Sequence, residues 1–156
     1  MAFFQRFADV SQIIHNRVLI CAGVSWFSAQ FIKIFISFLR ERRFNFRIIM
    51  SSGGMPSSHS ATAVALAVAV GRQCGFASAT FAVAAILAFI VVYDAVGVRA
   101  AAGRQAHVLN QIMDEVYDGQ PVRQKRLKEL IGHTPFQTLM GVLLGILIGF
   151  LFPLEG

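Results

Sequence analysis

Apolar residues in this chain gather in long runs, without the polar faces that a helix exposed to water needs. The first run covers about 18–39, the second 59–73, the third 76–93 and the fourth 136–154. Each approaches the roughly 20 residues that carry a helix across a hydrocarbon layer ~30 Å thick. The second is short and alanine-rich. Between the third and fourth runs the pattern changes. Ala95, Val98, Ala102, Leu109, Ile112, Met113 and Val116 recur at helical steps and predict a helix over about 94–117 with one apolar stripe. Such a helix suits the membrane surface, and Gly119, Gln120 and Pro121 break it. The predicted fold is all-α: one membrane domain over 1–156, an integral bundle of about four transmembrane helices plus an amphipathic helix at the cytoplasmic face.

Composition sharpens this. The chain is 56% hydrophobic and only 14% charged, with a mean hydropathy of +0.63, far more apolar than a soluble domain. A soluble bundle would need polar faces on its surface helices, which the last run lacks. Cys21 and Cys74 lie in or beside the runs without metal-ligand spacing and read as small buried residues. Arg6 and Arg17 precede the first run, but no small-residue cleavage site follows before Lys33, so that run is expected to stay as a span.

Charge gives a sidedness. Arg40, Arg42, Arg43 and Arg47, with Arg99, Arg104, Arg123, Lys125, Arg126 and Lys128, make ten of the fourteen basic residues. Four spans place all ten on one side. The positive-inside rule makes that side the cytoplasm and leaves both termini outside. A basic rim of this kind also attracts anionic lipid headgroups, whereas nothing in the pattern calls for nucleic acid.

The chemistry concentrates between the first two runs, in S-S-G-G-M-P-S-S-H-S over 51–60. Gly53 and Gly54 let the backbone turn tightly and approach a ligand. Pro56 presets a helix entry, and Ser57 or Ser58 can cap the alanine-rich helix that follows. The free N–H groups of that helix start, with its dipole, favour an anion, and His59 adds a group able to exchange a proton near neutral pH. Lys33 precedes Arg40 by seven residues, about two helical turns, so both cations share a face. A lysine inside an apolar run either snorkels to the interface or finds an anion, and spacing leaves both open. On the amphipathic helix, Asp94, Arg99, Arg104, His107 and Asn110 fall largely off the apolar stripe, as a solvated face or a ligand-binding one. Asp94 can neutralise one arginine and leave the other for a ligand. Thr134 and Pro135 read as cap and first-turn residue of the last span, with His133 at the boundary. Gly141, Gly145 and Gly149 form a doubled G-x-x-x-G that admits another helix of the chain or a second copy in a homo-oligomer.

G-G-M-P-S-S-H-S-A, Y-D-A-V-G-V-R, G-R-Q-A-H-V-L-N and L-K-E-L-I-G-H-T-P, in that order, resemble the divergent phosphatidic-acid phosphatase type 2 family, also called acid phosphatase/vanadium-dependent haloperoxidase-related. The likeness runs from about Asn16 to Phe150. The broader superfamily carries K-x6-R-P, P-S-G-H and S-R-x5-H-x3-D. By resemblance, Lys33 and Arg40 match the first, with Glu41 where proline is expected. Pro56, Ser57, Ser58 and His59 match the second, with serine replacing glycine. His133 matches the histidine of the third; Leu127 stands at its arginine, with Arg126 one place earlier, and Gln137 at its acidic position.

The resemblance implies a metal-independent phosphatase without cofactor, acting on a membrane lipid phosphate or pyrophosphate in the bacterial cytoplasmic membrane with the site facing the cytoplasm. His133 is the implied nucleophile and His59 the general acid. Lys33, Arg40, Ser57, Ser58 and Arg99 or Arg104 hold the phosphoryl charge, with Asp94, Asn110 and Thr134 in support. Gln137 stands where a carboxylate would orient the nucleophile; its carbonyl can accept the same hydrogen bond without supplying a negative charge. Two other readings follow: a catalytically silent protein that binds phospholipid headgroups or serves assembly, and a vanadate-dependent oxidant.

Overall fold

The computed structural model describes residues 12–42, 54–116 and 134–154. Its long helices are α1 (Arg17–Glu41), α2 (Ser58–Cys74), α3 (Ala79–Val96), α4 (Val98–Val116) and α5 (Pro135–Leu151), and no strand occurs among the described residues. Asn16 caps α1 by accepting from the N–H groups of Val18 and Leu19. Ser57 caps α2, Ser78 caps α3 and Thr134 caps α5, each with its side chain on an N–H three residues on. Gly75, at φ 90°, supplies the backbone that turns α2 into α3. Gly97 divides α3 from α4 while still donating to the Tyr93 carbonyl at 2.8 Å. The amphipathic helix thus begins at Val98, and Asp94 to Val96 complete α3.

The hub is α2, which packs against α1, α3 and α5. Ser57 lies against Gly141 and Val68 against Gly149, so α2 and α5 run parallel. Gly71, near the end of α2, faces Phe76 and Phe81 at the start of α3, which therefore returns antiparallel. Lys33, late in α1, meets Ser58 at the start of α2, while Val18, early in α1, joins the cluster holding Val70. The ends of α1 and α3 and the starts of α2 and α5 thus share one end of the bundle.

Small residues make α2 a possible hub. A Cβ on Gly145 would stand 2.5 Å from the Ala61 carbonyl oxygen, and one on Gly149 would stand 2.6 Å from Val68 Cβ. The backbones approach that closely because the glycines carry nothing there. The Gly141, Gly145 and Gly149 face therefore packs on α2 of the same chain, the first of the two partners its spacing admits.

Polarity runs opposite to that of a soluble protein. The largest fully buried side chains are Thr138, Cys21, Ser25, Ser57 and Ser60, whereas Phe31, Phe89 and Leu151 are 71%, 65% and 73% exposed. Soluble proteins bury their large apolar side chains; here they face outward and a small, partly polar interior lies behind them. Of the described helices, α1 over Arg17–Leu39 and α3 are long and apolar enough to cross a membrane, while α5 is apolar but shorter. The described residues are all-helical, with the outward-facing apolar surface and two span-length helices of a membrane protein.

Candidate functional site

The site is built where α1 passes the start of α2. Lys33 is only 3% exposed, and its Nζ lies 3.5 Å from Ser58 Oγ, longer than a strong N–H···O bond. Among the described residues, that hydroxyl is its one polar contact. Gly54 lets the chain cross the lysine stem: it sits at φ +98°, and a Cβ there would stand 3.1 Å from Lys33 Cγ and Cδ.

Ser57 ties the start of α2 to its surroundings. Its Oγ accepts from the Ser60 N–H at 3.4 Å and pairs with Ser60 Oγ at 2.9 Å. Its backbone N–H donates to the Gln137 carbonyl at 3.0 Å. That bond crosses from α2 to α5 because Gly141, one turn beyond Gln137, leaves room for the Ser57 backbone: a Cβ there would meet the Ser57 carbonyl oxygen at 2.5 Å. Thr62 Oγ1 donates to the Ser58 carbonyl at 2.7 Å. On the first turns of α5, Thr138 is 2% exposed, and among the described residues its hydroxyl has no hydrogen-bond partner.

These groups have one electrostatic sense. The first turn of a helix leaves N–H groups without intrahelical acceptors and presents the positive end of its dipole. In α2 that end faces a buried ammonium. Two positive features without a described carboxylate between them favour an anion, and a tetrahedral oxyanion can take N–H groups from the α2 start on one side and Lys33 on another.

Of the residues expected from sequence, Lys33, Ser57, Ser58 and Gln137 come together here. Gln137 does so through its backbone carbonyl. Its side chain completes a capping box, with Oε1 accepting from the Thr134 N–H at 3.1 Å and the Gln137 N–H donating to Thr134 Oγ1 at 3.2 Å. His59 lies exposed on the first turn of α2. Arg40 lies in the last turn of α1 and Arg99 in the first of α4, their side chains outside the described residues, as is His133 entirely. Arg104 is exposed and Asn110 buried on α4, whose contacts among the described helices are with α3 alone, so the structure does not bring them to Lys33. Asp94 is half-buried near the end of α3. Ser60, Thr138 and Gly141 escaped the sequence reading as parts of the site. The signals were the Ser57–Ser60 cap spacing and a threonine placed one turn after Thr134 inside an apolar run.

Fold and site together define a helical membrane protein with a buried lysine set beside the start of one of its helices. The chain belongs to the Divergent PAP2 family, which matches residues 14–148. It is also similar to the uncharacterized membrane protein YuiD of Bacillus subtilis (strain 168). The two are 39% identical over 148 residues, which cover 88% of this chain and 94% of that one. No solved structure matches.

Proposed function

We propose that this protein is a membrane phosphatase for lipid phosphates or pyrophosphates, acting through a phosphohistidine at a cytoplasmic-face anion pocket. The observation that carries the reading is the buried Lys33 ammonium facing the N-terminal end of α2. Helix directions support four spans, because the two connections carrying ten of the fourteen basic residues leave from the same end of the bundle as the pocket. The positive-inside rule turns that end to the cytoplasm.

The chemical roles come from family resemblance. A ring nitrogen of His133 attacks phosphorus, the bond from phosphorus to the leaving oxygen breaks, and His59 gives that oxygen its proton. Water then attacks the phosphohistidine, the P–N bond breaks, His59 takes the water's proton, and inorganic phosphate leaves. Lys33, Arg40 and the N–H groups of the α2 start hold the charge that develops on the equatorial oxygens. No metal or cofactor enters this scheme.

Phosphate release from a panel of lipid phosphates, on the purified chain, tests the proposal. Wild type should turn over at least one of them, and His133→Ala should not. Gln137→Glu preserves a capping box, since glutamate serves at that position as well as glutamine, and should raise turnover if a carboxylate there helps the imidazole. One observation favours a second reading, a catalytically silent binder of phospholipid headgroups. The side-chain carbonyl of Gln137 is already engaged by the Thr134 N–H. Phosphate binding with no release from any lipid, in wild type and Gln137→Glu alike, would select that reading.

A further inference from the structure

Arg104 is not brought to Lys33, and its surroundings suit it to a different anion. Helix α4 has three faces. At roughly 100° per residue, Gly103, Ala106 and Asn110 fall within about 60° of one another, and all three are buried. Ala101, Gln105, Val108, Leu109 and Ile112 fill an arc of about 100° on a second side. Arg104, His107 and Gln111 occupy the third. The second face is largely uncovered: Val108 is 52% exposed, and Leu109 and Ile112 are 49% exposed each. Leu109 and Ile112, members of the apolar stripe read from the sequence, thus face outward. Arg104 stands at the border between the two uncovered faces, about 40° from Val108. There Ala101, Arg104, Gln105, Val108 and Leu109 line an open cavity of about 600 Å³. Arg104 is exposed, and among the described residues no hydrogen bond or ion pair engages its guanidinium.

We infer that this cavity on α4 holds an anionic phospholipid, with its phosphate on Arg104 and the top of one chain on Val108 and Leu109. The site is separate from Lys33 and does not depend on any chemistry there. Continuity, charge and size choose the occupant. Gly97 joins α4 directly to the end of α3, where Phe89, Ile90 and Tyr93 are exposed in the outward apolar surface. A leaflet that covers those side chains meets the apolar face of α4 next. The one charged residue of the described lining is a cation. Its planar fork matches two phosphate oxygens at once, and an arginine at such a border keeps its stem in the apolar layer and its guanidinium at headgroup level. The volume is that of a small-molecule site, roughly 300–1,000 Å³. A second protein would need roughly 20–30 residues a side for a stable interface, far more than one flank of one helix offers.

Photolabelling tests the site. Full-length protein is placed in phosphatidylcholine bilayers with a trace of phosphatidylglycerol or phosphatidylcholine that carries a diazirine near the top of one chain, and the label is mapped by peptide mass. Phosphatidylglycerol should label wild type within 101–112 at least about fivefold more than phosphatidylcholine, since one surface cation contributes about that factor near an anionic membrane. Arg104→Gln should bring the two lipids level. Its side chain is exposed, so the melting midpoint in pure phosphatidylcholine should stay at the wild-type value. Leu109→Gln, which makes the chain seat polar, should weaken labelling by both lipids. Lys33→Met should leave the preference intact, which separates this site from the buried lysine. Equal labelling of wild type by the two lipids, or a preference that survives Arg104→Gln, overturns the inference. A preference lost in Lys33→Met would assign the lipid to the Lys33 site and overturn it as well. So would disulfide-linked dimers of Val108→Cys, which would give the face to a second copy.

Discussion

Replacing Gly141 by alanine puts one methyl group into the tightest point between α2 and α5, and its effects can be worked through. The new Cβ would lie 2.5 Å from the Ser57 carbonyl oxygen, 3.1 Å from Ser57 Cβ and 3.2 Å from Ser57 N. Two are backbone atoms and the third is a Cβ fixed to the backbone, so none can swing aside and α2 must retreat from α5 by several tenths of an ångström. Alanine gains up to ~1 kcal/mol of helix propensity over glycine, while overpacking a tight contact costs about 1–3 kcal/mol. The net destabilisation is about 0–2 kcal/mol, and each kcal/mol lowers the midpoint of a domain this size by ~2–4 °C. The same reasoning applies to Gly145→Ala and Gly149→Ala, which meet Ala61 and Val68. Only Gly141→Ala also pries the Ser57 N–H from the Gln137 carbonyl and shifts the capped start of α2 away from Lys33. Thermal unfolding in detergent, with and without phosphate, reads both effects. All three variants should melt at or below the wild-type midpoint, and Gly141→Ala alone should lose most of the protection by phosphate. Full protection in Gly141→Ala would refute the link between this seam and the pocket.

Lys33→Met should lose phosphate protection altogether, yet melt no lower than wild type in the absence of anion. It replaces a buried, weakly partnered charge by an apolar side chain of similar length, and a lower ligand-free midpoint would mean that the ammonium is already neutralised within the chain. Sidedness can be read with thiols: Cys21 is buried as expected, but Cys74, expected to be buried too, is exposed because it lies in the last turn of α2, at the end of the bundle away from the pocket. It should react with an impermeant maleimide added to intact cells, while a cysteine at Asn45 should not; the reverse pattern would place the pocket on the other face of the membrane.

How far the sequence disclosed this arrangement depended on how local the physics was. Thr134 as cap, Pro135 as first-turn residue and a capped helix start at Ser57 or Ser58 follow from chain-neighbour chemistry, and the structure has each of them. Lys33 shared that legibility, because a cation in an apolar run must be accounted for. The hub role of α2 was not legible. It is the least greasy of the four helices that match the apolar runs, and hydropathy ranks it last among them for the same reason that packing places it first: small side chains. Nor was the role of Gln137 visible. The family pattern drew attention to its lost charge, whereas its side chain serves the helix start and its backbone carbonyl serves Ser57. Gly97 shows the limit of periodicity, since apolar steps continue smoothly across the break between α3 and α4.

The inverted polarity has a thermodynamic consequence. In a soluble bundle, unfolding wets a core of large apolar side chains, and the resulting heat-capacity change bends stability into a dome with temperature. Here the large side chains contact hydrocarbon whether or not the helices are associated, and the surfaces that separate are glycine, alanine and serine. Their attraction is dispersion and hydrogen bonding at short range, with little water to release. Helix association in this protein should therefore be enthalpic, nearly free of heat-capacity change, and should strengthen steadily as the membrane cools.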